Sequence, residues 1–99
     1  MNHSAQVLAR IFVPKYPNQP VFQLEKNLAV AFNGYTLYSF GVGVWRMPNG
    51  ELMQEPVYVY DVVLNESDRP TLEEILLQYK SAAEQTTVLY VFDTTPTFL

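Results

Sequence analysis

Residues 35–64 read YTLYSFGVGVWRMPNGELMQEPVYVYDVVL, and this stretch decides the fold. Tyr35 to Arg46 is aromatic and β-branched, which favours extended backbone, while Gly41 and Gly43 inside it mark a bend or a close backbone approach. MPNGE, residues 47–51, is a turn. Pro48 suits the second position of a type I turn and Gly50 the left-handed position after it, together a three-residue hairpin loop with a glycine bulge. Leu52 to Leu64 is the returning strand, in which Pro56 is tolerable where its missing donor faces away from the neighbour.

On the N-terminal side, QVLARIFV alternates Val7, Ala9, Ile11 and Val13 with Leu8, Arg10 and Phe12, the period of a strand over Gln6 to Val13. Pro14, Pro17 and Pro20 stop it, since each removes a donor and fixes its own φ. From Pro20 to Asn33 the apolar positions Val21, Leu24, Leu28, Ala31 and Phe32 fall at helical spacing, and Gly34 is expected to supply the left-handed cap. On the C-terminal side, NESDRP is a polar break before a second helix, which Asp68 or Thr71 can cap. Thr71 with Glu74 has capping-box spacing. Leu72, Ile75, Leu76, Tyr79 and Ala83 form that helix's apolar stripe, running to about Glu84. Thr86 to Phe92 is a last strand, and the tail DTTPTFL is too rich in proline and threonine to extend it.

The order is β-α-β-β-α-β, the ferredoxin-like split βαβ of the α+β class. It implies a four-stranded antiparallel sheet with two helices on one face, because both crossovers are right-handed. The 99 residues are read as one such domain, its structured core spanning about residues 6–93, since a chain this short buries too little surface for two cores. Apolar residues make up 48% and charged residues 16%, enough to drive collapse. The net charge is -4 with no basic run, which disfavours long nucleic acid. With no cysteine, the chain has no disulfide, thiolate zinc site or cysteine nucleophile. No run has the 18 apolar residues of a membrane helix and the N-terminus lacks the pattern of a secretory leader, so the expectation is a soluble, cytoplasmic protein with no membrane partner.

With the helices on one face, the other is bare, and strand parity says what it carries. Small and branched side chains pack best under helices, so Val7, Ala9, Ile11 and Val13 are taken as covered, leaving Arg10 and Phe12 outside. The hairpin loop places Gly41 opposite Val57, Ser39 opposite Val59, Phe40 opposite Tyr58 and Tyr38 opposite Tyr60. The valine side then lies under the helices. In the last strand the aliphatic pair Leu89 and Val91 suits the core better than Tyr90 and Phe92. The expected open face therefore gathers Arg10, Phe12, Tyr38, Phe40, Tyr58, Tyr60, Tyr90 and Phe92 as an interface, since aromatics bury about 150 to 250 Å² each when covered. The competing reading is that the glycine bulge inverts the parity and these rings are core.

Site chemistry is sparse. His3 is the one histidine and reads as incidental in a frayed terminus, and no cluster has metal-ligand spacing, so no metal, cofactor or catalytic residue is assigned. Gly41-Val42-Gly43-Val44-Trp45-Arg46 lacks the third glycine of a dinucleotide fingerprint and continues as strand. Trp45 reads as a core or edge anchor. Glu55 and Asp61 share a parity with Val57 and Val59 and are expected to reach solvent or pair with Arg46 or Lys80. Glu73 and Glu74 oppose the second helix's macrodipole. Arg10, a charge on an aromatic face, is expected to stack on a ring or pair with an acid across an interface.

Over Gln6 to Phe92 the topology resembles small ferredoxin-like proteins that dimerise through their sheets into α+β barrels, a superfamily holding cofactor-free oxygenases and regulatory members. The resemblance is of fold and carries over no residue. The leading expectation is a non-enzymatic binding or regulatory module that associates with itself or another protein through the aromatic face, with a small aromatic or nucleotide ligand as a further occupant. One alternative is a cofactor-free enzyme working in a cavity between sheet and helices, with Tyr38, Tyr60 or Glu55 as acid or base. The other is an inhibitor or sponge holding a host protein or a nucleotide.

Overall fold

The computed structural model describes residues 5–93 and 95–99. In chain order they form β1 (Gln6–Pro14), α1 (Val21–Phe32), β2 (Thr36–Arg46), β3 (Leu52–Asn65), a 3₁₀ turn (Glu66–Asp68), α2 (Arg69–Ala82), β4 (Leu89–Phe92) and β5 (Thr95–Phe98). The sheet runs β2-β3-β1-β4-β5, every neighbouring pair antiparallel. Its first four strands with the two helices are the ferredoxin-like arrangement. The tail differs from expectation by adding β5 outside β4, joined also by the Val88 and Leu99 backbones at 3.2 and 3.0 Å. An edge strand bonds along one side only, so a proline-bearing segment is tolerated there. His3 lies outside the described residues.

Local signals act as the physics suggests, with shifts at the caps. The β2–β3 loop closes through Gly50 N–H to the Met47 carbonyl at 2.9 Å, with Gly50 at φ 87. Asn33 (φ 64), not Gly34, takes the left-handed position after α1, since asparagine also tolerates that region. Thr71 caps nothing: α2 begins at Arg69 on the 3₁₀ turn, with Pro70 pre-setting φ in the first turn. β4 starts at Leu89 instead of Thr86.

The core lies between the sheet and the helices. Ala9, Ile11 and Val13 of β1 point into it, as expected, against Leu24, Leu28 and Phe32 of α1 and Leu72, Ile75, Leu76 and Tyr79 of α2. What differs is which side chains of the other strands join them. Ile11 pairs with both Tyr60 and Tyr90, and Ala9 with both Val62 and Phe92, so those residues share the helix side. Tyr60 and Tyr90 are fully buried and Phe92 nearly so, while Tyr58, opposite Val13, is half-buried on the same side beneath Lys15, whose Nζ lies 4.7 Å from its ring centroid. Tyr58, Tyr60, Tyr90 and Phe92 are therefore corrected from the open face to the helix side.

Two physical reasons explain the correction. The hairpin register holds at Gly41↔Val57, but then shifts: Ser39 and Phe40 together oppose Tyr58, and Tyr38 pairs with Val59 instead of Tyr60. One extra residue on β2 moves everything beyond it to the other face of its partner. The second reason is polar satisfaction, because a buried phenol needs an acceptor. α1 supplies Glu25, whose Oε2 accepts from the Tyr60 hydroxyl at 2.7 Å, and α2 supplies Glu73, which accepts from Tyr90 at 2.6 Å. Arg69 donates to the Tyr90 oxygen at 3.0 Å and lies 4.7 Å from the Phe92 ring centroid. Burial pushes the Tyr60 hydroxyl well above the usual phenol range, with the Glu25 carboxylate adding to it.

Tyr60→Ala should remove one of the largest side chains of this core and cost about 3–5 kcal/mol, read as a lowered denaturation midpoint. Tyr60→Phe, which loses only the bond to Glu25, should cost roughly 1 kcal/mol. An unchanged midpoint in the alanine variant would place the ring outside the core.

Candidate functional site

The pairings leave Leu8, Arg10 and Phe12 of β1, Val59, Asp61 and Val63 of β3, and Leu89 and Val91 of β4 on the face without helices. β2 adds Tyr38, Gly41, Gly43 and Trp45, with Glu55 and Met53 opposite the last two. β5 brings Phe98 opposite Leu89. Of the expected interface set, Arg10, Phe12, Tyr38 and Phe40 line cavities on this face. The distal β2–β3 hairpin also runs past the helices, so that Val42, Val44 and Leu52 stay exposed on the helix side.

Two features stand on the open face. The first is a cavity of about 380 Å³ walled by Phe12, Trp45, Met53, Leu89 and Phe98, with Glu55 in the wall and Gln85, Thr86 and Thr87 along it. Gly43 makes it possible. A Cβ there would come within 3.0 Å of the Trp45 ring, so the missing side chain is what lets the indole lie over the strand. The ring is held by its Nε1, which donates to Glu55 Oε1 at 2.6 Å.

The second is a clasp in which Arg10 Nε and Nη2 donate to the two oxygens of Asp61 at 2.7 and 2.8 Å. It borders a shallow groove of about 420 Å³ formed with Tyr38, Phe40, Gly41 and Val59, where Phe40, at the bulge, is 93% exposed. The Arg10 hydrogen bonds hold the Asp61 carboxyl below its ordinary value, and Asp61 in turn raises Arg10. Asp61 thus pairs with Arg10 in its own chain and Glu55 with Trp45, in place of Arg46 or Lys80. Tyr60, sealed in the core, is corrected out of the acid–base candidates; Glu55 and Tyr38 border cavities.

Sequence reasoning passed over Trp45, Met53, Leu89 and Phe98 as wall residues. A usable signal was present for the first: a glycine two positions before a tryptophan on one strand face leaves space for the ring to fold back. Phe98 had no such signal, because its strand was not expected.

No family model matches the chain, and no curated protein matches it either. Among solved structures it is similar to a phage SAM (S-adenosylmethionine) lyase in complex with S-methyl-5'-thioadenosine. The TM-score is 0.72 over 98% of this chain and 91% of that one, at 14% identity. At that identity the likeness establishes the α+β fold. Among the described residues no helix is long and apolar enough to cross a membrane.

The Arg10–Asp61 clasp carries a pH signature. Because the folded-state value of Asp61 lies below the unfolded 3.8, its contribution is present above that pH and disappears as pH falls through the lowered value. Wild-type stability should therefore fall more steeply than that of Asp61→Asn in this acid range, measured by denaturant titration at several pH values; parallel curves would show the clasp to be energetically silent.

Proposed function

We propose that this chain is a small-ligand-binding domain that associates with copies of itself through the open sheet face and holds a flat, nucleoside-sized ligand in the Trp45–Glu55 cavity. The observation that carries the reading is the coincidence of a preformed aromatic cavity with an apolar face the chain does not cover. Leu8, Val63, Phe40 and Phe98 are exposed around it, and a monomer rarely leaves so much apolar surface in water. Self-association is the common way for a small domain to cover such a patch. A long nucleic acid fits less well, since Arg10 is spent on Asp61 and the net charge is -4.

A second reading is favoured by the likeness to the phage SAM lyase, which extends over nearly the whole of both chains. The ligand would then be S-adenosylmethionine or a thioether nucleoside such as S-methyl-5'-thioadenosine, and the chain an enzyme acting on the former. In a balanced step the substrate's own carboxylate would close on the carbon bonded to the sulfonium, forming the C–O bond of a lactone as the C–S bond breaks, and the sulfur would take the electron pair and leave as a neutral thioether. Such chemistry asks a protein mainly to bind and orient.

One experiment separates them. Native mass spectrometry should show a multiple of the 11.4 kDa chain and retention of added S-methyl-5'-thioadenosine. Incubation with S-adenosylmethionine, followed by chromatography and mass detection, should yield S-methyl-5'-thioadenosine under the lyase reading. Retention without turnover removes the enzyme, and a monomer that retains neither compound overturns the proposal.

A further inference from the structure

The wall of the open-face cavity is apolar except where Glu55 enters it, and that exception has a specific geometry. One carboxylate oxygen is held by the Trp45 indole N–H at 2.6 Å, which fixes the group in the wall while the second oxygen stays outside that bond. Among the described residues the ion pairs are Arg10–Asp61 and Arg69–Glu73, so within that set no lysine or arginine forms an ion pair with Glu55. Arg46, the nearest basic residue along the strand, pairs with Leu52 and stands on the opposite face of the sheet. Lys15 is engaged with the Ser39 carbonyl and the Tyr58 ring on the helix side.

An unneutralised carboxylate held at the edge of an indole by the in-plane N–H, where it takes up neither ring face, is a place for a cation. The carboxylate supplies charge attraction, and the face of a tryptophan, rich in π density, attracts a positive group through its quadrupole. A neutral ligand of the same shape would desolvate the carboxylate without compensating it. The chain's overall charge of -4 draws cations inward as well.

We infer that Glu55 is the residue by which this cavity selects a positively charged ligand, a sulfonium or substituted ammonium carried next to a flat heteroaromatic ring, over its neutral analogue. The inference rests on the proposed ligand-binding role of the cavity and adds to it the charge class of the ligand. Trp45 acts as the platform and Glu55 as the charge reader. The Nε1 bond between them keeps both in place when the cavity is empty.

The test compares two probes that differ in charge at the onium position, and besides that by one methyl group and the heteroatom: the S-adenosylmethionine analogue with N-methylammonium in place of methylsulfonium, which resists cleavage, and S-adenosylhomocysteine, the neutral thioether. Trp45 is the chain's single tryptophan, so its fluorescence reports from the cavity wall, with calorimetry as an independent measure. Wild type should prefer the cationic probe by roughly five- to tenfold. Glu55→Gln, which keeps an acceptor for the indole N–H, should bring that ratio close to one while affinity for the thioether is held or improved. A ratio unchanged by the substitution, or no preference in wild type, overturns the inference and leaves the cavity's ligand role intact. Failure of wild type to bind either probe overturns that role as well. If Glu55→Gln does not fold, the wild-type ratio measured against rising salt decides: a preference read by charge declines with ionic strength, and one that stays constant overturns the inference.

Discussion

Ile11 and Tyr60 face each other across β1 and β3, and the rest of the molecule depends on that pairing. Side chains alternate along a strand, so one opposed pair assigns every residue of both strands to a side. With Ile11 committed to the helices, Tyr60, Val62 and Leu64 must follow, and Val59, Asp61 and Val63 must turn away. Tyr90 and Phe92 are assigned in the same step, because β4 pairs with the other side of β1. A slip of one residue would place Asp61 in the core and Tyr60 in water.

The pairing is affordable only because the helices bring acceptors. Glu25 on α1 and Glu73 on α2 sit where the hydroxyls of Tyr60 and Tyr90 emerge from the apolar layer. Each tyrosine then buries its ring without leaving a polar atom unmet, and each bond ties a helix to a particular strand. The same logic explains why Val59 and Val63 of β3 are free to face outward. Tyr60 and Tyr90, their hydroxyls satisfied, join Ile11, Val62 and Leu64 beneath the two helices.

The open face owes its character to local exceptions in β2. The bulge at Ser39 and Phe40 throws Phe40 into solvent beside the Arg10–Asp61 clasp. Gly43 lets Trp45 fold back over the strand onto Glu55, and β5 closes the far wall of the cavity with Phe98. A cavity and an uncovered apolar surface thus arise on one side of the sheet, while the other side carries the core beneath the helices. That division is what makes the open face the place to look for binding.

Element order up to β4, both helix stripes apart from the exposed Ala31, the covered set of β1 and the Pro48–Gly50 turn were determined by the sequence alone, because each rests on periodicity or turn chemistry within a few residues. The outward direction of Arg10 and Phe12 was legible on the same grounds, whereas Tyr38 and Phe40 reach the open face through the bulge and not through the register the turn implied. The faces of β3 and β4, the fifth strand and the Trp45–Glu55 contact were decided only by tertiary structure. Strand alternation states that two faces exist without naming them. The choice came from partners distant in the chain: Ile11 for Tyr60 and Tyr90, Glu25 and Glu73 for their hydroxyls, and the bulge that offsets β2 by one residue.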